Sequence, residues 1–383
     1  MDKPTVQDIF HRFYPAYLDQ YSPSPVQAKV AHNIMNCKTG AYGANVCVCE
    51  DCGFVQIHYN SCRNRCCPMC QAVPKEMWMD ARREDVLDAP YFHLVFTVPD
   101  ILNPVIYSNQ RLLYDALYHA ASSTISELTA DPKHLCAKVG YICILHTWGS
   151  EMNFHPHIHT ILLGGGLASN NQWKDNGENF FLPIRVISKM FRGKYLEELK
   201  RLWEEDKLVF HGTAEKFRNH YTFKELLDSC YGMDWIPHCK KTFNGAQTVI
   251  KYLGKYTHRI AVSNHRIVRM DDDTVTFLVK DYRNEGQWKE LTISGVEFVR
   301  RFLMHVPPRR FVRIRHYGLL CSRTKSQKLT LCRNLLGCKK YLSKLRDMEM
   351  PEILEHLYGI KVCVCKACGG HLGKPQMRMP LRC

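Results

Sequence analysis

Three stretches of the chain are apolar at nearly every position and short enough to be buried strands: Phe92–Val98 (FHLVFTV), Tyr141–Trp148 (YICILHTW) and His157–Leu163 (HIHTILL). Residues 110–129 and 187–205 instead repeat apolar positions at helical spacing. Strands mixed with long helices predict an α+β domain. The polar stretch 168–179 predicts a loop, and Gly164-Gly165-Gly166 predicts a turn. Farther on, VTFLVKD and QWKELTI flank Arg283–Gly286, which predicts a hairpin over 274–293. A helix is expected from about 295 to 304, ended by Pro307-Pro308. No internal repeat is visible.

The length of 383 residues allows two or three domains at roughly 150 residues each. No run approaches the ~18 apolar residues of a membrane span, and the N-terminus shows no continuous apolar signal region. The expectation is a cytoplasmic protein with no membrane partner. Charge changes the picture more. Residues 300–383 hold 19 lysines and arginines against 4 acidic residues, while the preceding residues balance at 33 against 33. A basic block on a neutral body points to a polyanion, most often nucleic acid. FVRIR alternates, so Arg313 and Arg315 are expected on one strand face, where they would track phosphates.

The 19 cysteines are clustered: eight in 37–70, four in 71–320 and seven in 321–383. In a reducing compartment that pattern favours metal over disulfides. Cys49-x-x-Cys52 and Cys67-x-x-Cys70 each bring two thiolates onto one ion, so together they predict a zinc site. Gly53 supplies the knuckle turn. His32, Cys37, Cys62 and Cys66 form a candidate second set, with Cys47 and His58 as alternatives. Such a short module buries little, so metal is expected to supply its folding energy. In the tail, Cys363-x-Cys365-x-x-Cys368-Gly-Gly-His371 reads as half a knuckle, to be completed by Cys383, Cys338 or Cys332.

His155-Pro-His157-Ile158-His159 places His157 and His159 on one face of a strand, poised for a divalent ion. By itself such a pair is more often a half-buried strand with exposed histidines. Tyr252 and Tyr256 are four apart, so on a helix they share a face with Lys251 and Lys255 close by. Phenols beside cations suit attack on a phosphodiester. An isolated pair of this spacing is more often core packing.

Taken together these features resemble the HUH endonucleases, in which U is a hydrophobic residue, and within them the rolling-circle insertion-sequence transposases of the two-tyrosine class. The resemblance rests on YNSCRNRCCPMCQ, YFHLVFTVP, HPHIHTILLGGGL, FFLPIRVISKMFRGKYL, YLGKYTHRIAVSN, VKDYRNEGQWK and FVRIRHYGLLCSRTKSQKLTLCRNLLG, in family order from about residue 30 to 340. It implies an HUH-like antiparallel sheet with helices, preceded by a zinc-binding module and followed by a basic hairpin and helix region. The expected division is 1–75 zinc module, 76–265 endonuclease core with an insertion around 164–240, 266–345 basic DNA-binding region, and 346–383 cysteine-containing tail.

The resemblance further implies a transposase that nicks and rejoins single strands through 5′-phosphotyrosine. Tyr252 and Tyr256 would be the nucleophiles, and His157 and His159 would bind Mg²⁺ or Mn²⁺. The third ligand is open between Gln247 and His155. Cys49, Cys52, Cys67 and Cys70 would bind structural Zn²⁺. Cys66 stands where the family commonly has His, an exchange that keeps a zinc ligand. Lys251, Lys255, Arg259, Arg313 and Arg315 are the DNA-contact candidates, with Tyr91 or Trp148 available for base stacking. The implied partner is single-stranded DNA at the transposon ends and target site, with room for a host helicase, in a bacterial, nucleoid-associated setting. A replication initiator or relaxase, and a non-catalytic zinc DNA-binding protein, are the alternatives.

Overall fold

The computed structural model describes residues 3–175, 182–235, 238–243, 249, 254, 260–281, 284–374 and 376–378. Its centre is an antiparallel sheet in the order β11-β4-β5-β3-β7. The members are β3 (Tyr91–Thr97), β4 (Lys138–Trp148), β5 (Phe154–Leu167), β7 (His238–Phe243) and β11 (Ile314–Gly318), and the short β6 (Trp173–Asp175) pairs with the end of β5. The apolar runs form these strands because both faces are covered. Tyr141, Cys143, Leu145, Ile158, Leu162, Phe92 and Leu94 share a core with Leu113 and Leu117 of α5 (Gln110–Ala130) and Phe191 and Tyr195 of α6 (Ile184–Glu204). Ile142, Ile144, Ile161 and Leu163 have the opposite parity and pack with Leu87, Tyr91, Val249 and Leu329.

Two local readings change. The three glycines lie inside β5 and form no turn. Added Cβ atoms would meet the Phe92 ring at 2.7 Å from Gly164, the Trp173 ring at 2.4 Å from Gly165 and the Lys138 carbonyl oxygen at 2.4 Å from Gly166, so glycine lets β5 approach its neighbours. Pro156 does not end the strand. The β4–β5 register shifts between His146↔His157 and Trp148↔Phe154, and a shifted register is where a residue without an N–H is tolerated.

The remaining segments interleave in space. The helix α1 (Val6–Gln20) starts at a Thr5/Asp8 capping box, and α2 (Pro25–Met35) at a Ser24/Gln27 box. Their apolar faces share one core with the hairpin β9 (Thr274–Asp281) and β10 (Gln287–Ser294) and the helix α8 (Gly295–Met304). Ile9, Phe10 and Phe13 thus pack with Phe277, Phe298 and Phe302. The hairpin expected in a separate basic region instead completes the N-terminal core. The third strand of its sheet is β8 (Ile267–Met270). Arg315, expected in that basic region too, lies on β11 of the central sheet. The tail returns to the N-terminus, where β12 (Gln376–Arg378) pairs with β1 (Ala44–Val48), itself paired with β2 (Val55–Tyr59). The zinc module therefore does have a core, but it borrows much of it from the 274–304 segment, more than 200 positions away.

Gly318 sits at φ +61° at the end of β11, and a Cβ there would stand 1.8 Å from the Val139 carbonyl oxygen. Gly318→Ala is expected to cost about 3 kcal/mol, since backbone strain and a backbone clash combine. Gly337→Ala, at φ +64° with open space around it, should cost only about 1 kcal/mol. Urea unfolding midpoints of the two variants check the difference.

Candidate active site and metal centres

One face of the central sheet gathers four histidines. His157 and His159 lie on β5, His146 is the register partner of His157 on β4, and His93 lies on β3. All four are buried. One ring nitrogen each from His146, His157 and His159 lies within 4.8 Å of the other two. His157 donates from Nδ1 to the His155 carbonyl at 2.7 Å, which leaves its Nε2 as a bare acceptor aimed at His159 Nε2, 3.1 Å away. The other His159 nitrogen, Nδ1, meets His93 Nε2 at 2.9 Å. A ligating imidazole whose second nitrogen is fixed by a carbonyl or another ring is the usual build of a metal site. Trp148 stacks on His146 with ring centroids 4.6 Å apart.

His146 supplies the third nitrogen that the sequence left open. His155 does not join the group; its Nδ1 lies 3.2 Å from Asp100 Oδ1. Gln247 and the candidates Tyr252, Tyr256, Lys251, Lys255 and Arg259 lie outside the described residues. Two residues flanking or within that stretch are described. Val249 is buried in the apolar cluster on the histidine side of the sheet, together with Ile144 and Ile161. At Gly254 an added Cβ would meet Met79 Sδ at 1.9 Å, on α3 (Ala72–Arg83). The signal for His146 was a polar residue in an apolar strand, at the same parity as Ile142 and Ile144. Its meaning depends on a strand register that spacing cannot supply.

The cysteines assemble differently from the expected set. Cys49 and Cys52 do not meet Cys67 and Cys70. One cluster is Cys37, Cys62, Cys67 and Cys70, and the other is Cys49, Cys52, Cys365 and Cys368, each with sulfurs within 4.8 Å of one another. The reason is the β1–β2 hairpin. Cys49 and Cys52 stand at its tip, whereas Cys37 precedes it and Cys62 follows it at the base. Five-residue strands separate tip from base by roughly 16 Å. In the base cluster Cys37 Sγ lies 3.2 Å and Cys62 Sγ 3.5 Å from Cys70 Sγ. Hydrogen bonds with Cys62 and Cys67 hold the Cys70 thiol far below its ordinary range, and bonds with Cys62 and Cys70, together with burial, push Cys67 far above it. Such crowding resists four thiolates until a divalent cation offsets their charge.

Cys66 and His32 stand outside both clusters. Cys66 is buried and lines a small cavity with Trp148, His305 and Arg313, and burial raises its thiol pKa. His32 is exposed, with Nδ1 3.3 Å from Asn36 Nδ2. Cys47 is buried beside Cys49 without joining the four sulfurs, and His58 meets Gln56 at 2.7 Å. Arg313 and Arg315 do not share a phosphate-tracking face. Arg315 pairs with Asp115 and lies over the Tyr118 ring, 4.0 Å from its centroid, while Arg313 points to the Cys66 cavity. Tyr91 and Trp148 are core residues, so neither is free to stack on a base. The open cleft beside the base cluster, about 230 Å³ in volume, is lined by Lys29, Arg65, Arg309 and Arg310. Sequence reasoning had not singled out Lys29 or Arg65.

His305 bonds through Nε2–H to the Met152 carbonyl at 3.0 Å, and complete burial lowers its pKa from 6.5 to about 4. Between these values the unfolded chain takes up a proton that the folded chain refuses. Its stabilising share is therefore full above about pH 6.5 and falls as pH drops toward about 4. The expected loss is roughly 3 kcal/mol. Denaturant midpoints of the parent should fall over that window more steeply than those of His305→Gln.

Thiol clusters of the zinc-ligand type and a histidine-bearing sheet, on a strongly basic chain, are the features of a zinc-containing DNA-binding protein. The family model "Transposase zinc-binding domain" matches residues 9–98, and "Putative transposase" matches residues 140–328. The chain is 40% identical to "Putative transposase y4qJ" of Sinorhizobium fredii, covering 95% of this chain and 93% of that protein. It is 30% identical to the "Transposase for insertion sequence element IS801" of Pseudomonas savastanoi pv. phaseolicola, over 79% of this chain and 72% of that protein. No solved structure matches. The chain belongs to the insertion-sequence transposase family of the IS801 protein, with an N-terminal zinc-binding domain. The base cluster lies wholly within the matched zinc-binding span. Among the described residues no helix is long and apolar enough to cross a membrane.

Proposed function

We propose that this transposase cuts and rejoins single-stranded DNA at the ends of its element, in rolling-circle transposition, through 5′-phosphotyrosine links. Tyr252 and Tyr256 are the nucleophiles, and His146, His157 and His159 are the ligands of a divalent ion. The observation that carries the reading is the convergence of three imidazole nitrogens on the sheet face whose apolar cluster includes Val249, three residues before Tyr252. A divalent ion held by these rings would polarise the scissile phosphate and offset the charge that develops on its oxygens. An all-nitrogen set favours Mn²⁺ over Mg²⁺, which prefers oxygen ligands.

In the cutting step a tyrosine Oη attacks phosphorus, the bond from phosphorus to O3′ breaks, and the phenol proton is lost as a 3′-hydroxyl forms. The new phosphotyrosine keeps the energy of the phosphodiester. Rejoining by a 3′-hydroxyl restores the phenol and needs no ATP, in keeping with a sequence that has no G-x-x-x-x-G-K-[ST] motif. Two phenols let one hold the donor strand while the other cuts. Lys251, Lys255 and Arg259 neutralise phosphates around the tyrosines. With Arg315 committed to Asp115, the exposed Arg309 and Arg310 beside Lys29 take its part in tracking the backbone.

The test mixes purified protein, labelled single-stranded DNA of the element's end and Mn²⁺, and reads covalent adduct on denaturing gels. The parent should form an adduct. Tyr252→Phe/Tyr256→Phe and His157→Ala/His159→Ala should form none, and the single tyrosine variants rank the two phenols. DNA binding without an adduct on a verified cognate end would overturn the reading, and an adduct from the double tyrosine variant would overturn the choice of nucleophile.

A further inference from the structure

Residues 365 and 368 lie outside both family-model matches, yet they meet Cys49 and Cys52 across more than 300 positions of chain. Cys49 Sγ is 3.5 Å from Cys368 Sγ, and Cys52 Sγ is 3.8 Å from Cys365 Sγ. The two contributing loops are the same device written twice. Cys49-Glu-Asp-Cys52-Gly53 and Cys365-Lys-Ala-Cys368-Gly369 both read C-x-x-C-G. In each the glycine has a positive φ, +70° at Gly53 and +79° at Gly369. In each its N–H bonds back to the first cysteine's carbonyl, at 3.0 Å and 2.9 Å. The Ala367 and Gly370 N–H groups also approach Cys365 Sγ and Cys368 Sγ at 3.4 Å, as donors that stabilise thiolates. Backbone pairing joins the two loops through the bridge Cys49↔Leu372 and the β1–β12 ladder, while the bridge Val364↔His371 closes the tail loop on itself.

We infer that Cys49, Cys52, Cys365 and Cys368 hold a second structural zinc ion, which clasps the C-terminal tail to the tip of the N-terminal hairpin. Four convergent thiolates in paired knuckles are the donor set of a closed tetrahedral zinc site. The ion is needed because apolar burial there is slight. Of the described residues from Gly359 to Arg378, only Cys365 and Leu372 are buried, and the local cluster adds just Cys47 and Cys49. So small a core does not fix a tail without a metal. Neither Cys332 nor Cys338 joins the tail pair. Cys332 is buried in the cluster under β4 and β5 with Cys338 packed against it, and Cys383 lies outside the described residues. The inference is independent of the nicking chemistry.

The experiment titrates metal-free, full-length protein with Co²⁺ and follows the sulfur-to-cobalt charge-transfer bands, to which a histidine site contributes nothing. The parent should saturate at two thiolate-bound equivalents and Cys365→Ser/Cys368→Ser at one. Cys363→Ser, a neighbour outside the four, should keep two. Trypsin cleavage at Lys361 and Lys366 should be at least tenfold slower in zinc-loaded parent than in the double variant. Saturation of the parent at one equivalent would overturn the site, a result that stands even if the variant fails to fold. Two equivalents in a folded double variant, or a tail cut equally fast with and without zinc, would overturn it as well.

Discussion

His146→Ala is expected to slow cutting of a single-stranded element end at least about 1,000-fold, which corresponds to about 4 kcal/mol of transition-state stabilisation. The reasoning starts from the register. His146 faces His157 across β4 and β5, and its nitrogen belongs to the same group of three as those of His157 and His159. Removing one of the three nitrogens that would hold the proposed divalent ion would weaken its binding, and with it the polarisation of the phosphate. His146→Asp keeps a ligand but trades nitrogen for oxygen, so it should recover part of the rate and do so better with Mg²⁺ than the parent does. His93 Nε2 meets His159 Nδ1 at 2.9 Å and is not one of the three converging nitrogens. It is a positioning residue, so His93→Ala should cost about 10- to 100-fold, with weaker Mn²⁺ affinity as the separate readout. Single-turnover rates across a Mn²⁺ titration measure all three. Parental rates in His146→Ala beside an inactive His157→Ala would show that the ion takes its third ligand elsewhere.

Cys67→Ser is expected to unfold more than the module around it. Cys67 is fully buried, and it shares a core with Cys37, α1, α2, the β9–β10 hairpin and α8. Loss of this ligand weakens a structural zinc site whose binding energy is folding energy, and it leaves a polar hydroxyl in an apolar setting. A loss of at least about 3 kcal/mol lowers Tm by about 6–12 °C. Chelation of the parent should act in the same direction. The hairpin should lose protection together with α1 and α2, because they share one core. Hydrogen exchange read by mass spectrometry separates the outcomes: joint loss of protection in 6–35 and 274–304 is expected, and loss confined to 37–70 would refute the shared core. Cys66→Ser, outside the thiol cluster, should keep both zinc content and this protection.

Much was legible in the sequence because it was local. Three strands of the central sheet, the helices at 110–129 and 187–205 and the hairpin at 274–293 announced themselves by periodicity and turn residues, and they appear within a few positions of where they were read, whereas β7 was not read and β6 falls in the stretch expected to be a loop. The pair His157 and His159 was legible because residues two apart on a strand share a face. The two C-x-x-C loops were legible because such a loop bends two sulfurs together wherever it occurs.

What the sequence by itself determined is therefore each half-site: two imidazoles on one strand, two thiols in one knuckle, a basic C-terminal region. Only the tertiary structure decided how the halves combine. Strand register set His146 and His93 beside the histidine pair. The length of the β1–β2 hairpin kept Cys49 and Cys52 away from Cys67 and Cys70, and return of the tail along β1 brought Cys365 and Cys368 to them. Asp115 on a neighbouring helix took Arg315 away from any phosphate. Short-range geometry follows from a few consecutive dihedrals, so spacing reveals it. Which distant halves meet depends on how whole faces bury one another, and spacing carries no record of that.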